Sequence, residues 1–86
     1  MTPSFDKQAY GFGLRCLRLK EGLTQGDVAR MLGLCPSTIG RWERGERVPH
    51  VRFIEPLAIL LNVTLYDVLP HTPATPTQES DWNTGP

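Results

Sequence analysis

The sequence predicts an all-α fold, a compact domain of five short helices followed by a flexible tail. Apolar residues recur at three- and four-residue spacings through most of the chain, which is typical of amphipathic helices. The motif Thr-x-x-Asp, a signal for a helix start, occurs twice. From His71 onward the chain is rich in Thr and Pro and has no apolar period. We therefore expect one domain over residues 7–70, between a flexible N-terminus (1–6) and a disordered tail (71–86).

The first helix is predicted to run from about Lys7 or Ala9 to Lys20. Gly11 and Gly13 weaken it by about 1 kcal/mol each relative to alanine, so we expect its start to fray. The side chains expected on its buried side are Tyr10, Leu14, Leu17 and either Phe12 or Phe5.

Two short helices joined by a tight turn are predicted over residues 24–44. Thr24 and Asp27 begin the first of them, because the hydroxyl can accept from an amide while the carboxylate lies at the positive helix end. Gly33 can adopt the left-handed conformation that ends it, and Pro36 opens the next helix, where its missing N–H costs nothing. The apolar or small residues expected in their shared core are Val28, Ala29, Leu32, Leu34, Ile39 and Trp42.

The last two helices follow a loop. Pro56 belongs in the first turn of a helix, so we expect the fourth helix over residues 53–61, with Asn62 as its left-handed stop. Thr64 and Asp67 then start a short fifth helix that Pro70 closes. The expected core residues are Ile54, Leu57, Ala58, Leu61 and Val63.

Several residues match the motifs of a known protein family in both order and spacing. They are GLTQ at residues 22–25, Ala29 with Gly33, Ile39, RWERG at residues 41–45, and Pro49. Over residues 14–69 the chain resembles the helix-turn-helix family of lambda-type phage repressors and Cro proteins. The resemblance implies a central helix-turn-helix whose second helix, residues 36–44, enters the major groove of DNA. It also implies an ion pair between Arg18 and Glu43 that locks the first helix to this recognition helix.

The distribution of charge favours DNA as a partner, although the total positive and negative charges are equal. Nine Lys and Arg equal nine Asp and Glu, but two of the acids lie in the tail, which leaves residues 1–70 with a net charge of +2. Four arginines fall in residues 41–52 against two glutamates. Positive charge therefore gathers where the second motif helix and its following loop would meet phosphate. The alternative interpretation is an ordinary solvated basic face.

Two kinds of DNA contact are expected of the recognition helix and the residues around it. Helical spacing turns Ser37, Gly40, Arg41 and Arg44 outward. The residues expected to contact bases are Pro36, Ser37, Thr38 and Arg41, of which Arg41 can make a bidentate contact to guanine. The residues expected to contact the DNA backbone are Gln25, Arg44, Arg47 and Arg52, with Gln25 at a helix N-terminus as the resemblance implies. Glu46 would oppose these contacts unless it points away.

Apolar residues near the end of the domain exceed what its own core needs. They are Ile59, Leu60, Tyr66 and Leu69. Such a surplus is typical of a partner surface, and we expect a homodimer interface there. The alternative is a monomer with ordinary scattered apolar groups.

The predicted function is a sequence-specific regulator of transcription that binds double-stranded DNA. We expect a repressor that binds an inverted-repeat operator as a homodimer, with half-sites about one helical turn apart. The alternative is an antitoxin-like interaction module whose tail, with Trp82, captures a protein partner, and which can also repress its own promoter.

Other classes of function find no support in the sequence. There is no nucleophile with a base, phosphate loop or metal cluster, so we expect no enzyme, cofactor or metal. Cys16 and Cys35 are too few and too distant from the histidines for a zinc site. Cys35, before the recognition helix, is either a redox-sensitive thiol or a plain one. No apolar run or signal peptide indicates a membrane, so we expect a cytoplasmic, nucleoid-associated protein.

Overall fold

The computed structural model describes residues 6–70, which form five α-helices and one 3₁₀ turn. The elements are α1 (Lys7–Lys20), α2 (Gln25–Leu32), α3 (Pro36–Glu43), a 3₁₀ turn (Val51–Phe53), α4 (Ile54–Leu61) and α5 (Leu65–Val68). The predicted all-α, five-helix fold is therefore confirmed. Phe5, Trp82, the predicted tail and most of the predicted flexible N-terminus lie outside the described residues.

The predicted helix boundaries are set by the expected capping groups. Thr24 Oγ1 accepts from the Asp27 amide at 3.0 Å, and the Asp27 carboxylate accepts from the Thr24 amide at 2.9 Å. Gly33 (φ 72°) and Asn62 (φ 60°) adopt the left-handed conformation at the ends of α2 and α4. Asp6, which the sequence analysis included in the flexible N-terminus, caps α1 by accepting from the amides of its first turn.

This capping contact makes Asp27 a source of pH-dependent stability. The Thr24 amide, and then Arg30, stabilise the ionised carboxylate, so the pKa of Asp27 lies below its ordinary value. A carboxyl with a lowered folded-state pKa stabilises the fold above its unfolded pKa, and this stability is lost as the pH falls through the folded pKa. Asp27→Asn should therefore lower the melting temperature at pH 7, with a difference that narrows below about pH 4. Parallel thermal melts from pH 7 to pH 2 test this, and a pH-independent difference would contradict it.

The buried core joins all the helices, and its residues are Leu14, Val28, Ala29, Ile39, Trp42, Ile54, Leu57, Ala58, Leu61 and Val68. Val63 and Leu34 pack against this core but are only partly buried. The Tyr10 hydroxyl donates to the Val68 carbonyl at 2.6 Å and so connects α1 to α5. Phe12 does not supply the buried side of α1, since 64% of it is exposed. The core thus uses a narrower face of α1 than the apolar residues of that helix suggest.

Glycines allow α1 and the end of α3 to touch backbone to backbone. A Cβ at Gly11 would lie 2.6 Å from the Glu43 carbonyl oxygen and closer still to that of Trp42. Gly45 (φ 78°) lies against the first turn of α1, where its Cβ would come within 2.9 Å of the Gln8 backbone. The expectation that Gly11 only weakens α1 was therefore incomplete, because α1 is helical from Lys7 and this glycine permits the crossing.

The entry into α4 differs slightly from the prediction. Val51–Phe53 forms a 3₁₀ turn, and the α-helix starts at Ile54 rather than at Phe53. Pro56 lies in the first turn of α4, as expected, where a proline breaks no helical hydrogen bond.

Candidate nucleic-acid interface

Helix α3 rests on α2 through its buried face. Ile39 and Trp42 are 3% and 4% exposed, and Ala29 of α2 is 1% exposed, so the two helices approach closely. The Leu34 amide donates to the Ala29 carbonyl at 2.8 Å and holds the intervening turn. This packing leaves the opposite face of α3 to solvent.

The exposed face of α3 carries three of the four residues expected to contact bases. Pro36, Ser37 and Arg41 are exposed, whereas Thr38 is half-buried at its border. Pro36 is the first residue of α3, and Cys35 precedes it as the N-cap residue without a side-chain capping bond. The structure thus brings the predicted base-reading residues together on one surface.

A buried ion pair fixes the other end of α3. The Arg18 Nε donates to Glu43 Oε2 at 2.6 Å, and its Nη2 donates to Oε1 at 3.0 Å. The side chains are 10% and 6% exposed, respectively. The hydrogen bond to Glu43 raises the pKa of Arg18, against the opposing effect of burial. The pair that the resemblance implies is therefore present, and it joins α1 to α3.

The same carboxylate also reaches α2. Gln25 Nε2 donates to Glu43 Oε1 at 3.0 Å, and Arg18 Nη1 donates to the Leu23 carbonyl at 2.8 Å. Helix α1, the start of α2 and the end of α3 are thus connected by one set of charge-assisted hydrogen bonds. Gln25, expected at the DNA backbone, is positioned by this contact at the first residue of α2.

Gly40 is not part of the outward surface that the helical spacing predicted. It is buried, and a Cβ there would lie 3.0 Å from Arg44 Nη1 and 3.6 Å from Gln25 Oε1. The guanidinium of Arg44 therefore covers Gly40. Helical spacing places Arg44 beside Gly40, four residues on, but it does not show that the guanidinium lies over the glycine.

Arg44 forms an ion pair that the sequence analysis did not predict. Its Nε donates to Glu46 Oε2 at 2.7 Å, so Glu46 points towards the arginines rather than away. The hydrogen bond from Arg44 lowers the pKa of Glu46, and the charge of Arg41 adds to this effect. The basic surface at the end of α3 thus includes one carboxylate.

The remaining two arginines lie at different places. Arg47 is exposed, and its amide donates to the Arg41 carbonyl at 3.3 Å, so it follows directly from the end of α3. Arg52 is exposed on the 3₁₀ turn, with its Cζ 4.8 Å from the centroid of the Phe53 ring. Arg52 lines a cleft with Gly33 at the C-terminal end of α2, whereas Gln25 begins that helix. The structure therefore does not group Arg52 with Gln25.

The predicted dimer residues lie on α4 and around α5 and are largely accessible. Ile59, Tyr66 and Leu69 are 74%, 54% and 39% exposed, and Leu60 is half-buried. Other exposed apolar residues were not predicted for this surface, among them Leu65 at 50% and Met31 at 63% exposure. Met31 lines a cleft of about 330 Å³ with Leu32, Pro56, Ile59 and Leu60. No periodic signal identified Met31, because its exposure depends on how α4 leaves the end of α2 uncovered.

Other kinds of site were also sought within residues 6–70. This part of the chain contains no group of three or more side chains placed to hold a metal ion. Cys16 and Cys35 are both exposed and free. None of the helices in this range has both the length and the apolar character required to cross a membrane.

The chain is similar to known proteins over this same region. A helix-turn-helix family model matches residues 14–68. The chain is 32% identical over 65 residues to YazB of Bacillus subtilis (strain 168), an uncharacterized HTH-type transcriptional regulator, and the match covers 76% of this chain and 94% of YazB.

Solved structures give the same result. The restriction-modification controller protein C.AhdI from Aeromonas hydrophila superposes with a TM-score of 0.68 and 34% identity, over 74% of this chain and 97% of that protein. The DNA-binding domain of BldD superposes with a TM-score of 0.61 and 29% identity, over 81% of this chain and 100% of that domain. The chain belongs to the helix-turn-helix family, which includes HTH-type transcriptional regulators.

Proposed function

We propose that the protein is a sequence-specific regulator of transcription that inserts α3 into the major groove of double-stranded DNA. The observation that carries this proposal is the exposed surface of Ser37 and Arg41 on a helix whose other face is fixed by Trp42 and by the Arg18–Glu43 pair. A recognition helix needs exposed polar groups on a rigid support, because base edges are read by hydrogen bonds of defined direction. Similarity to a transcriptional regulator and to a DNA-binding domain supports the same function.

The contacts divide into base reading and backbone binding. Arg41 reads a guanine through its fork of donors, while Pro36, Ser37 and Thr38 contact neighbouring base edges or methyl groups. Gln25, Arg44 and Arg47 contact phosphates around α3, and Arg52 contacts the backbone from the 3₁₀ turn. Phosphate contacts supply most of the affinity but carry no sequence information.

We further propose that the protein binds as a homodimer. Ile59, Tyr66 and Leu69 are exposed and Leu60 is half-buried, and none of the four lies on α2 or α3. These apolar residues on α4 and around α5 are the proposed dimer surface. An interface between two copies would cover this surface around a two-fold axis. Two recognition helices would then enter successive major grooves about 34 Å apart, on an inverted repeat. A dimer bound across a promoter would repress transcription by excluding the polymerase.

Two arginine variants separate the proposed contact types. Arg41→Ala should relax the base preference at one position of each half-site, where the lost contact discriminates by about 1–3 kcal/mol. Arg47→Ala should weaken binding to all sequences alike and reduce the salt slope by about 1 per subunit. Affinities for single-base operator variants, measured over a salt series, test both. Arg15→Ala, an exposed arginine of α1, is the matched control. Equal losses across sequences for both variants would contradict base reading by Arg41.

The experiment that tests the proposed function is a selection of bound duplexes from a random pool of about 30 base pairs at near-physiological salt. An inverted repeat with half-sites about one helical turn apart is expected. Recovery of a single half-site would contradict the homodimer. Recovery of no motif, with only weak, salt-sensitive binding, would contradict sequence-specific regulation and favour an antitoxin-like interaction module instead.

A further inference from the structure

We infer that Glu46 competes with DNA phosphate for Arg44, so that its negative charge lowers the affinity of the protein for every duplex. This inference rests on the proposed function, because it concerns how the protein without DNA positions Arg44, one of the residues proposed to contact the DNA backbone. Glu46 would thus set the general strength of DNA binding without contacting a base.

The geometry of the pair is that of a phosphate contact. Glu46 Oε2 accepts from Arg44 Nε at 2.7 Å, and Oε1 lies 3.5 Å from Arg44 Nη2. The two carboxylate oxygens therefore face the same fork of N–H groups that binds two oxygens of a phosphate. Arg44 cannot present this side of its guanidinium to DNA while Glu46 occupies it.

The backbone holds Glu46 at this place. The Glu46 amide donates to the Arg41 carbonyl at 2.9 Å, which anchors the loop to the last turn of α3. Gly45 has a φ of 78° and lies against Gln8 of α1, so the residue before Glu46 is fixed by close backbone contact. The pairing therefore does not depend on a freely moving loop.

Arg44 is likewise held in a defined position. Its Nη1 lies 3.0 Å from where a Cβ of Gly40 would be, and Gln25 Oε1 lies 3.6 Å from the same point, so the guanidinium lies over Gly40. The nearby carboxylate of Glu43 already accepts from Arg18 and Gln25. Glu46 is therefore the acid that pairs with Arg44. The hydrogen bond from Arg44 lowers the pKa of Glu46.

Binding to DNA then requires an exchange of partners. A phosphate oxygen replaces the Glu46 carboxylate on Arg44, and the carboxylate is left beside the DNA backbone. Both effects oppose binding, and both are independent of sequence because every duplex presents the same phosphates. Glu46 makes its side-chain hydrogen bonds to Arg44 rather than to Arg41, so removing its charge should raise the affinity for every duplex and leave the order of base preferences unchanged.

Glu46→Gln tests the inference, because it removes the charge and keeps the size of the side chain. We expect it to tighten binding to the selected duplex and to a scrambled 30-base-pair duplex alike, by about two- to fivefold per subunit, the range for an exposed ion pair. Glu21→Gln is the matched control, since Glu21 is also exposed and pairs with Lys20 at 3.1 Å. The gain from Glu46→Gln should be smaller in an Arg44→Ala background than in the parent, because only the repulsion between the carboxylate and phosphate remains to be removed there. Thermal melts of each variant show that folding is unchanged.

The possible outcomes distinguish failure of the inference about Glu46 from failure of the proposed function. The competition is wrong if Glu46→Gln does not tighten binding, if Glu21→Gln tightens it as much, or if the gain from Glu46→Gln is as large without Arg44 as with it. In each of those cases the parent protein still binds DNA, and the proposed function stands. If neither the parent nor Glu46→Gln binds either duplex, the proposed function fails, and the competition fails with it.

Discussion

Gly11→Ala should destabilise the domain by about 3 kcal/mol, because the added methyl group meets backbone rather than a movable side chain. The new Cβ would lie 2.6 Å from the Glu43 carbonyl oxygen and 2.8 Å from the carbonyl carbon. Relief of this overlap requires α1 to move away from the end of α3. That movement would also stretch the Arg18–Glu43 pair. A urea denaturation curve should show a lower midpoint, with DNA affinity reduced in parallel.

Gly13→Ala is the matched control, two residues along the same helix. A Cβ at Gly13 meets nothing within 4 Å. Since alanine is the better helix former, this variant should gain about 0.5–1 kcal/mol. Opposite signs for the two glycines would show that tertiary contact, and not helix propensity, decides the effect at Gly11. Equal gains at both positions would contradict the close crossing of α1 and α3.

Arg18→Ala should cost about 3 kcal/mol of stability, because it leaves the buried Glu43 carboxylate without its charged partner. Glu43 would keep only the Gln25 amide among the side-chain donors that the structure shows on it. The end of α3 would lose its connection to α1, so the recognition surface should also become less ordered. Calorimetric melting, together with the affinity for the selected duplex, measures the two effects.

Two further variants separate loss of the pair from loss of charge. Arg30→Ala removes an arginine whose side chain is 72% exposed, and its melting temperature should stay close to that of the parent. Replacing both partners by apolar residues, as Arg18→Met with Glu43→Leu, should recover most of the lost stability, since no buried charge then remains unpaired. If Arg18→Ala melts like Arg30→Ala, the pair does not stabilise the fold.

The local structure was largely predictable because its signals are short-range. Thr24, Gly33, Pro36 and Asn62 each set a helix boundary through their own backbone or side-chain chemistry, and each lies where the sequence predicts it. The Arg18–Glu43 pair was accessible only through the family resemblance, because its partners are 25 residues apart in sequence.

The side-chain contacts that the sequence did not predict are ones that helical periodicity does not describe. Gly40 was expected to face outward, but Arg44 lies over it from beyond the helix end. Phe12 is exposed because Gly11 brings the adjacent face of α1 against α3. Glu46 was expected to oppose the phosphate contacts unless it points away, and that expectation stays a prediction. Its pairing with Arg44 depends on a loop geometry that periodicity does not describe. The exposure of Phe12 in particular depends on how α1 and α3 cross.

The residues that hold α3 in place are not the residues that it exposes. The exposed residues of α3 can therefore be changed without removing its support. Ile39, Trp42 and Glu43 hold the helix, whereas Ser37 and Arg41 lie on the solvent side. Surface substitutions away from packed contacts usually change stability by less than about 0.5 kcal/mol. Under the proposed function, a library that varies only the exposed positions would sample many base preferences on one unchanged scaffold.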